Sequence, residues 1–539
     1  MPSAISWLEP VSRRVFLRSA PRGGTMLRLA CARGEKVAFQ ACLRQLGPKA
    51  VHVYLSAALP AGWECSIRRV GWVPLPHLST ETELQDLEGV EHLPGLVPDP
   101  LFAEREAVVG PYETQPFWVT VQVPEDAEPG RVELALRFVT GGDDQAMPPL
   151  TVQLEVAPVT LGKRQTLPVT HWFYADALCD WYGVDPWEER FWAIVEPYMR
   201  DLVAHGVNCQ YVPLFTPPTD GIKRPTQLLR VTTPASGQYA FDWTDVDRWV
   251  DLAQAAGAEW FEWTHLFTQW GVQNALRIYR DNADESSVLW SPETAATSDT
   301  YRGFLGQFLP AFHRYLDAKG LLDRSVFHLS DEPHGEEHKK AYGAARAMLR
   351  DLAPWMRVAD ALSEIDFARE GLTDIPIPSI RTAKQFQDEG FDQSWAYFCC
   401  GPRGPYVNRL MDTPLTKIRL IGWLLYRLSA KGFLHWGYNY WYRSQSRQLI
   451  DPYQEVAACN WPGWAGGDPF EVYPGADGPV DSVRWELFGL GLQDYALLET
   501  LEVGRDHAAL AELYDYHRFP REESWIEQTR DALLRCAGT

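Results

Sequence analysis

The chain has 539 residues, enough for two or three domains. Fifty Lys and Arg against 71 Asp and Glu leave a net charge of −21, which argues against nucleic acid or an anionic membrane surface as partner. Hydrophobic residues are 46% and charged residues 22%, a globular rather than a disordered balance, and no apolar run suits membrane insertion. Residues 1–160 read as an antiparallel β-sandwich. Val37, Phe39, Ala41 and Leu43 alternate with Lys36, Gln40 and Cys42. The same period of two recurs over 117–123, 132–138 and 150–156, and the breakers of 124–130 join two of these runs. The acidic, proline-rich stretch 80–112 reads as a long loop or insertion.

After Ala157-Pro158 short apolar strands alternate with longer amphipathic helices. Strands are expected at 167–174, 207–212, 259–266, 325–331, 357–363, 375–380, 395–399 and 432–438. Asp185-Pro186-Trp187-Glu188 predicts a helix start, with Asp as N-cap and Pro at the first position. Thr244 is expected to cap a helix ending at Gly257. Helical spacing runs from Tyr301 to Gly320, further helices end at Leu352 and span 415–430, and those after the fifth and sixth strands are weakly marked. This order predicts an α/β chain: a (β/α)8 TIM-like barrel over 161–505, behind the N-terminal sandwich, with closing helices over 506–539.

Active sites of such barrels lie at the C-terminal ends of the strands. There the fourth strand ends in Asp331-Glu332-Pro333. Adjacent carboxylates repel, and paired acid/base chemistry is one reason to place them together; capping of the next helix is the other. Strand parity puts His328, Ser330 and Glu332 on one face and Asp331 on the other, so Asp331 needs a bulge or a twist to join the mouth. Other strand ends carry Trp172 and Tyr174, Trp263 and His265, Asp360, Tyr397, and the run His435-Trp436-Gly437-Tyr438-Asn439-Tyr440-Trp441. The 23 Trp, 22 Tyr and 23 Phe either fill a large core or supply flat amphipathic surfaces that suit sugars.

Asp331-Glu332-Pro333, Trp436-x-x-Asn439-x-Trp441 and a late segment together resemble the catalytic domain of glycoside hydrolase family 123. The late segment comprises Gly467-Asp468, Tyr473-Pro474-Gly475, Ser482-Val483-Arg484-Trp485-Glu486 and Gly491-Leu492-Gln493-Asp494-Tyr495. Gly34-Glu35, Phe39-Gln40 and the stretch from Trp118 to Pro129-Gly130 are similar to that family's β-sandwich. The resemblance implies a retaining β-N-acetylgalactosaminidase with substrate-assisted catalysis. Glu332 then matches the general acid/base and Asp331 the residue that holds the 2-acetamido N–H. Trp172, Tyr174, His265, Asp360, Tyr397, Trp436, Tyr438, Asn439 and Trp441 are the expected sugar-binding residues. No cofactor and no metal are expected, and the partner is a carbohydrate. The segment 442–481 is expected to form part of the pocket wall.

Two rivals remain in view. His334-Gly335-Glu336-Glu337-His338 matches an H-x-x-E-H zinc pattern, and a sugar-binding protein without catalysis would use the same aromatic mouth. No phosphate loop and no G-x-S-x-G elbow occur. The nine cysteines lack regular spacing, which fits a reducing cytoplasmic setting. Ser12-Arg13-Arg14-Val15-Phe16-Leu17 resembles a twin-arginine signal, but the prolines, glycines and arginines that follow suit a short strand at 15–17 instead.

Overall fold

The computed structural model describes residues 3–141, 147–217, 224–233, 237–280, 284–444, 446–457 and 463–537. The N-terminal part is two five-stranded sheets. One runs in the order Ala4–Pro10, Lys36–Gln45, Thr114–Gln122, Glu64–Leu75, Gly95–Phe102. The other runs Met26–Arg33, Leu150–Thr160, Gly130–Thr140, Val51–Ala58, Glu106–Val109. Pairing is antiparallel except between Met26–Arg33 and Leu150–Thr160, which is parallel. The turn at 124–130 carries the chain from one sheet to the other.

The strand Thr114–Gln122 is buried on both faces, and its period of two explains how. Phe117, Val119 and Val121 face the sandwich core, whereas Trp118 joins the large core of the α/β part. The stretch expected as a long loop in fact contributes the strands Gly95–Phe102 and Glu106–Val109, each at a sheet edge. Pro98 and Pro100 are tolerated there because an edge strand has one unpaired side. Residues 15–17 form no strand. Arg14 is buried instead, donating to Pro98 O and Thr413 O, while Arg13 pairs with Glu9 and Glu523.

The second part is built on a curled parallel sheet of six strands, in the order Ser325–Phe327, Trp260–Trp263, Cys209–Val212, Val169–His171, Phe433–His435, Ala396–Tyr397. A parallel pair, Ala359–Ala361 and Ile375–Ile377, stands between its two ends. Single parallel bridges, Phe327 to Val358 and Ser379 to Tyr397, connect the pair to each end. These eight strands fall within the expected ranges but are shorter, because the chain leaves the sheet early to build the loops at the mouth.

Several helix ends differ from expectation. The helix after the first strand is preceded by an additional one, Ala175–Tyr182. The next begins at Glu189 rather than near 186, because Trp187 adopts a left-handed φ of 67° that a helix excludes. Thr244 lies inside its helix, and Asp242 accepts from its backbone N–H and hydroxyl. The helix Asp299–Lys319 ends on Gly320 in the left-handed region, as the spacing predicts. The helices after the fifth and sixth strands are short, Asp366–Arg369 and Ala383–Asp388.

Leu415–Arg427 and Val483–Thr500 cross in close contact. A Cβ on Gly422 would stand 1.9 Å from Gly491 O, so only glycine allows this approach. Beside the crossing, Asp494 accepts from Arg419, Trp423 and Arg530. Arg530 also pairs with Glu35 of the sandwich. Arg484 pairs with Asp99 and Glu471, all three fully buried. Arg484 and Asp494 of the late, family-like segment are therefore structural charges that join the two parts. No described helix is long and apolar enough to cross a membrane.

Candidate active site

A cavity of about 290 Å³ lies at the C-terminal ends of the parallel strands. Its wall is supplied by the first strand end (Trp172), the third (Gln269, Trp270), the fourth (Asp331, Glu332) and the fifth (Ala361). The seventh strand adds Tyr397, Cys399 and Cys400, and the eighth adds Leu434 and Trp436. Ser444 and Trp464 come from the segment expected to form pocket wall. A larger opening, 580 Å³, lies at the other ends of the strands, the face associated with stability rather than chemistry.

The parity conflict is resolved by the backbone. Regular strand ends at Phe327, and Glu332 adopts a left-handed φ of 43°. That conformation costs about 1–3 kcal/mol in a non-glycine residue, and it turns the chain so that both neighbouring carboxylates face one cavity. The loop is held on three sides. Glu332 N donates to Ala361 O at 3.0 Å, and Asp331 O accepts from Trp270 N at 3.0 Å. Ser330 Oγ donates to Thr268 O at 2.8 Å. Tyr397 donates its hydroxyl to Glu332 Oε1 at 2.6 Å, leaving Oε2 for another partner. Burial and the Glu332 charge push the Tyr397 phenol well above its ordinary range, so it remains a donor.

Beneath this loop lies a buried charge network. His328 stands between Glu262, 2.7 Å from Nε2, and Asp360, 3.3 Å from Nδ1. Burial alone would lower the His328 pKa, but its bonds to Asp360 and Glu262 prevail and push it up to about 10. His328 is therefore an imidazolium between two carboxylates. Asp360 also accepts from Leu329 N at 3.0 Å and from Tyr342 OH at 2.5 Å. Glu262 accepts from Trp172 Nε1 at 2.8 Å and from Thr170. The network thus ties the loop bearing Asp331 and Glu332 to the Trp172 wall.

Of the residues expected from the sequence, the cavity brings together Asp331, Glu332, Trp172, Tyr397 and Trp436. The others stand behind it. His265 is 1% exposed, stacked on His328 at 4.5 Å and edge-on to Trp172; burial and the His328 charge hold it well below its ordinary pKa. Asp360 is fully buried in the network described above. Tyr174 donates its hydroxyl to Trp436 O, and Asn439 bonds both N and O of Tyr174, clasping the first and eighth strand ends. Tyr438 donates to Asp201 in the core. Trp441 is buried against Trp181 and Tyr198, and Trp263 against Phe312.

Gln269, Trp270, Cys399 and Cys400 are cavity residues that sequence reasoning missed. The adjacent cysteines, and Trp270 in a segment of consecutive positive φ values (Trp270 52°, Gly271 116°, Val272 54°), were visible only as composition. The zinc pattern does not converge: His338 Nδ1 accepts from His334 N at 3.0 Å, and the exposed His334 ring faces Glu364.

The fold thus brings a carboxylate pair to the mouth of a curled parallel sheet, beside the indoles of Trp172, Trp270, Trp436 and Trp464. The model of the glycoside hydrolase 123 catalytic domain matches residues 172–501. The chain belongs to that family and is a glycoside hydrolase. A solved family 123 glycoside hydrolase from Clostridium perfringens, described for glycolipid glycan hydrolysis, superposes with a TM-score of 0.75 at 13% identity, covering 99% of this chain and 98% of that one. A Bacteroides ovatus GH5 xyloglucanase overlaps loosely, with a TM-score of 0.30 at 10% identity over 87% of this chain and 98% of that one. No curated protein matches.

Proposed function

We propose that the enzyme releases terminal β-linked N-acetylgalactosamine, or a related 2-acetamido sugar, with retention of configuration. Asp331 holds the acetamido N–H, so that the acetamido oxygen attacks the anomeric carbon. Glu332 gives its proton to the leaving oxygen. The resulting oxazolinium ion is opened by water, which Glu332 deprotonates. The observation that carries this reading is the facing of two sequence-adjacent carboxylates into one indole-walled cavity, made possible by the left-handed Glu332. Tyr397, bound to one Glu332 oxygen, aims the other at the bond to be cleaved.

The same reading takes the eight strands as a closed (β/α)8 barrel, supported by the two single bridges at its seams. It assigns 1–160 to the sandwich, 161–505 to the barrel and 506–539 to the closing segment. It places the enzyme in the cytoplasm, supported by Cys31, Cys42, Cys65, Cys179, Cys209, Cys399 and Cys400, which stand as free thiols; fractionation of the source cells tests this.

The decisive experiment is a screen of aryl glycosides that differ at C2 and C4, with glycolipid glycans added because the Clostridium perfringens enzyme is described for them. Turnover restricted to 2-acetamido sugars is the expected result. Turnover of plain hexosides, or azide rescue of Asp331→Asn, overturns the substrate-assisted step. Sugar binding without turnover in the wild type overturns the catalytic reading.

A further inference from the structure

Cys399 and Cys400 follow Tyr397 after the single residue Phe398, and both line the cavity that holds Asp331 and Glu332. Their Sγ atoms lie 4.0 Å apart. Both are half-buried, whereas Cys31, Cys42, Cys179 and Cys209 are buried in the core. Arg403 donates to Cys400 O at 2.5 Å and to Thr80 Oγ1 at 2.7 Å, pinning this segment to the sandwich. The bond with Cys399, and then the Arg403 charge, hold the Cys400 thiol below its ordinary range despite burial.

This spacing suits a bridging atom better than a sulfur–sulfur bond. Adjacent Cα atoms stand about 3.8 Å apart, whereas an unstrained disulfide needs about 4.4–6.8 Å between them. A trivalent, pyramidal atom held about 2.3 Å from each sulfur spans about 3.2–3.5 Å between sulfurs, so the pair closes on it by about half an ångström, against about 2 Å for a disulfide. The surrounding wall, with Tyr397, Leu434, Trp436 and Trp464, accepts an apolar substituent on that atom.

We propose that Cys399 and Cys400 form a dithiol site in the cavity wall that captures trivalent arsenicals and thereby blocks turnover. The blocking half rests on the reading of this cavity as catalytic. In the capture step an organoarsenic oxide, R–As=O, meets two thiols. Two S–H bonds break, two As–S bonds form, and the oxo oxygen leaves as water with both protons. Arsenic stays trivalent and nothing is oxidised. Cys400 attacks first, and Cys399 closes the ring.

The test titrates the reduced full-length protein with phenylarsine oxide, following intact mass, peptide mapping and turnover in parallel. The expected result is one adduct per chain, mapped to the 399–400 peptide. Turnover falls in proportion to occupancy and is nearly lost at one equivalent. A small dithiol reverses both effects; a monothiol at equal thiol concentration does not. Cys399→Ser and Cys400→Ser each lose the stable adduct, read by mass rather than by activity. Should either variant fail to fold, the wild-type map and the dithiol-against-monothiol reversal still decide. No adduct at the pair, or an adduct that both variants keep, overturns the proposal. An adduct at the pair without inhibition overturns its blocking half and removes catalysis from this cavity. A wild type without any glycosidase turnover fails the functional reading alone, and the mass measurement still judges the dithiol.

Discussion

Two buried histidines carry the same chemistry in different places. His328 sits between Glu262 and Asp360 under the cavity. His205 sits between Asp201, 3.0 Å away, and Glu486, 3.5 Å away, where the sandwich meets the α/β part. Burial would neutralise both rings, and in both neighbouring carboxylates prevail and raise the pKa: to about 10 for His328, and well above the ordinary value for His205. Around His205, Arg68 of the sandwich pairs with Asp481 at 2.6 Å and Glu486 at 2.5 Å. Asp201, His205 and Asp481 bring ligand atoms within 4.8 Å of one another, but the Arg68 guanidinium and the His205 proton already supply the positive charge there. One network holds the loop bearing Asp331 and Glu332, and the other joins the sandwich to the α/β part. Position within the fold, rather than residue type, assigns the role.

The comparison can be broken in graded ways. Glu332→Gln should lower kcat by about 100- to 10,000-fold while the melting temperature holds, because under the proposed mechanism it removes a proton donor and not a structural charge. His328→Gln leaves Glu262 and Asp360 buried without a cation. It should cost about 3–5 kcal/mol in denaturant unfolding and also lower kcat in the folded fraction. Arg68→Ala should cost about 2–3 kcal/mol with kcat of the folded enzyme unchanged; a matching loss of kcat would erase the distinction between the two networks.

The pH dependence sharpens the same contrast. The His328 pKa rises from 6.5 to about 10 on folding, so its stabilisation is complete below about pH 6.5 and is lost as pH rises through 10. Thermal melts over that window should show an alkaline decline that His328→Gln reduces. The smallest effect is expected from Trp270→Ala. Its indole is 41% exposed at the cavity edge, so KM should rise a few-fold, about 1 kcal/mol, with kcat retained.

Much of this was readable from residue order. The alternation in Gly130–Thr140 reports its one buried face directly, and Asp331-Glu332-Pro333 stood out at a strand end. The aromatic run after the eighth strand misled by number: Trp436 reaches the cavity, while Tyr438 and Trp441 are core. Four Trp and Tyr residues in one run cannot reveal which points inward once the strand has ended at His435 and its period of two no longer applies. The edge strand Gly95–Phe102 was hidden for a different reason. Its prolines and Asp99 read as loop, and the buried partners Arg484 and Tyr473 make that aspartate acceptable in a core.

Local pattern was therefore enough for four of the sandwich strands, the βα alternation and the carboxylate pair, because each depends on neighbours within a few residues. The joint orientation of Asp331 and Glu332 was not, since it needs a left-handed backbone held by Trp270 and by Asp360 and Ala361, from two other segments. Nor could residue order alone pair His328 with Glu262, which lies 66 positions away. Such contacts depend on which chain segments folding brings together, and no local periodicity encodes them.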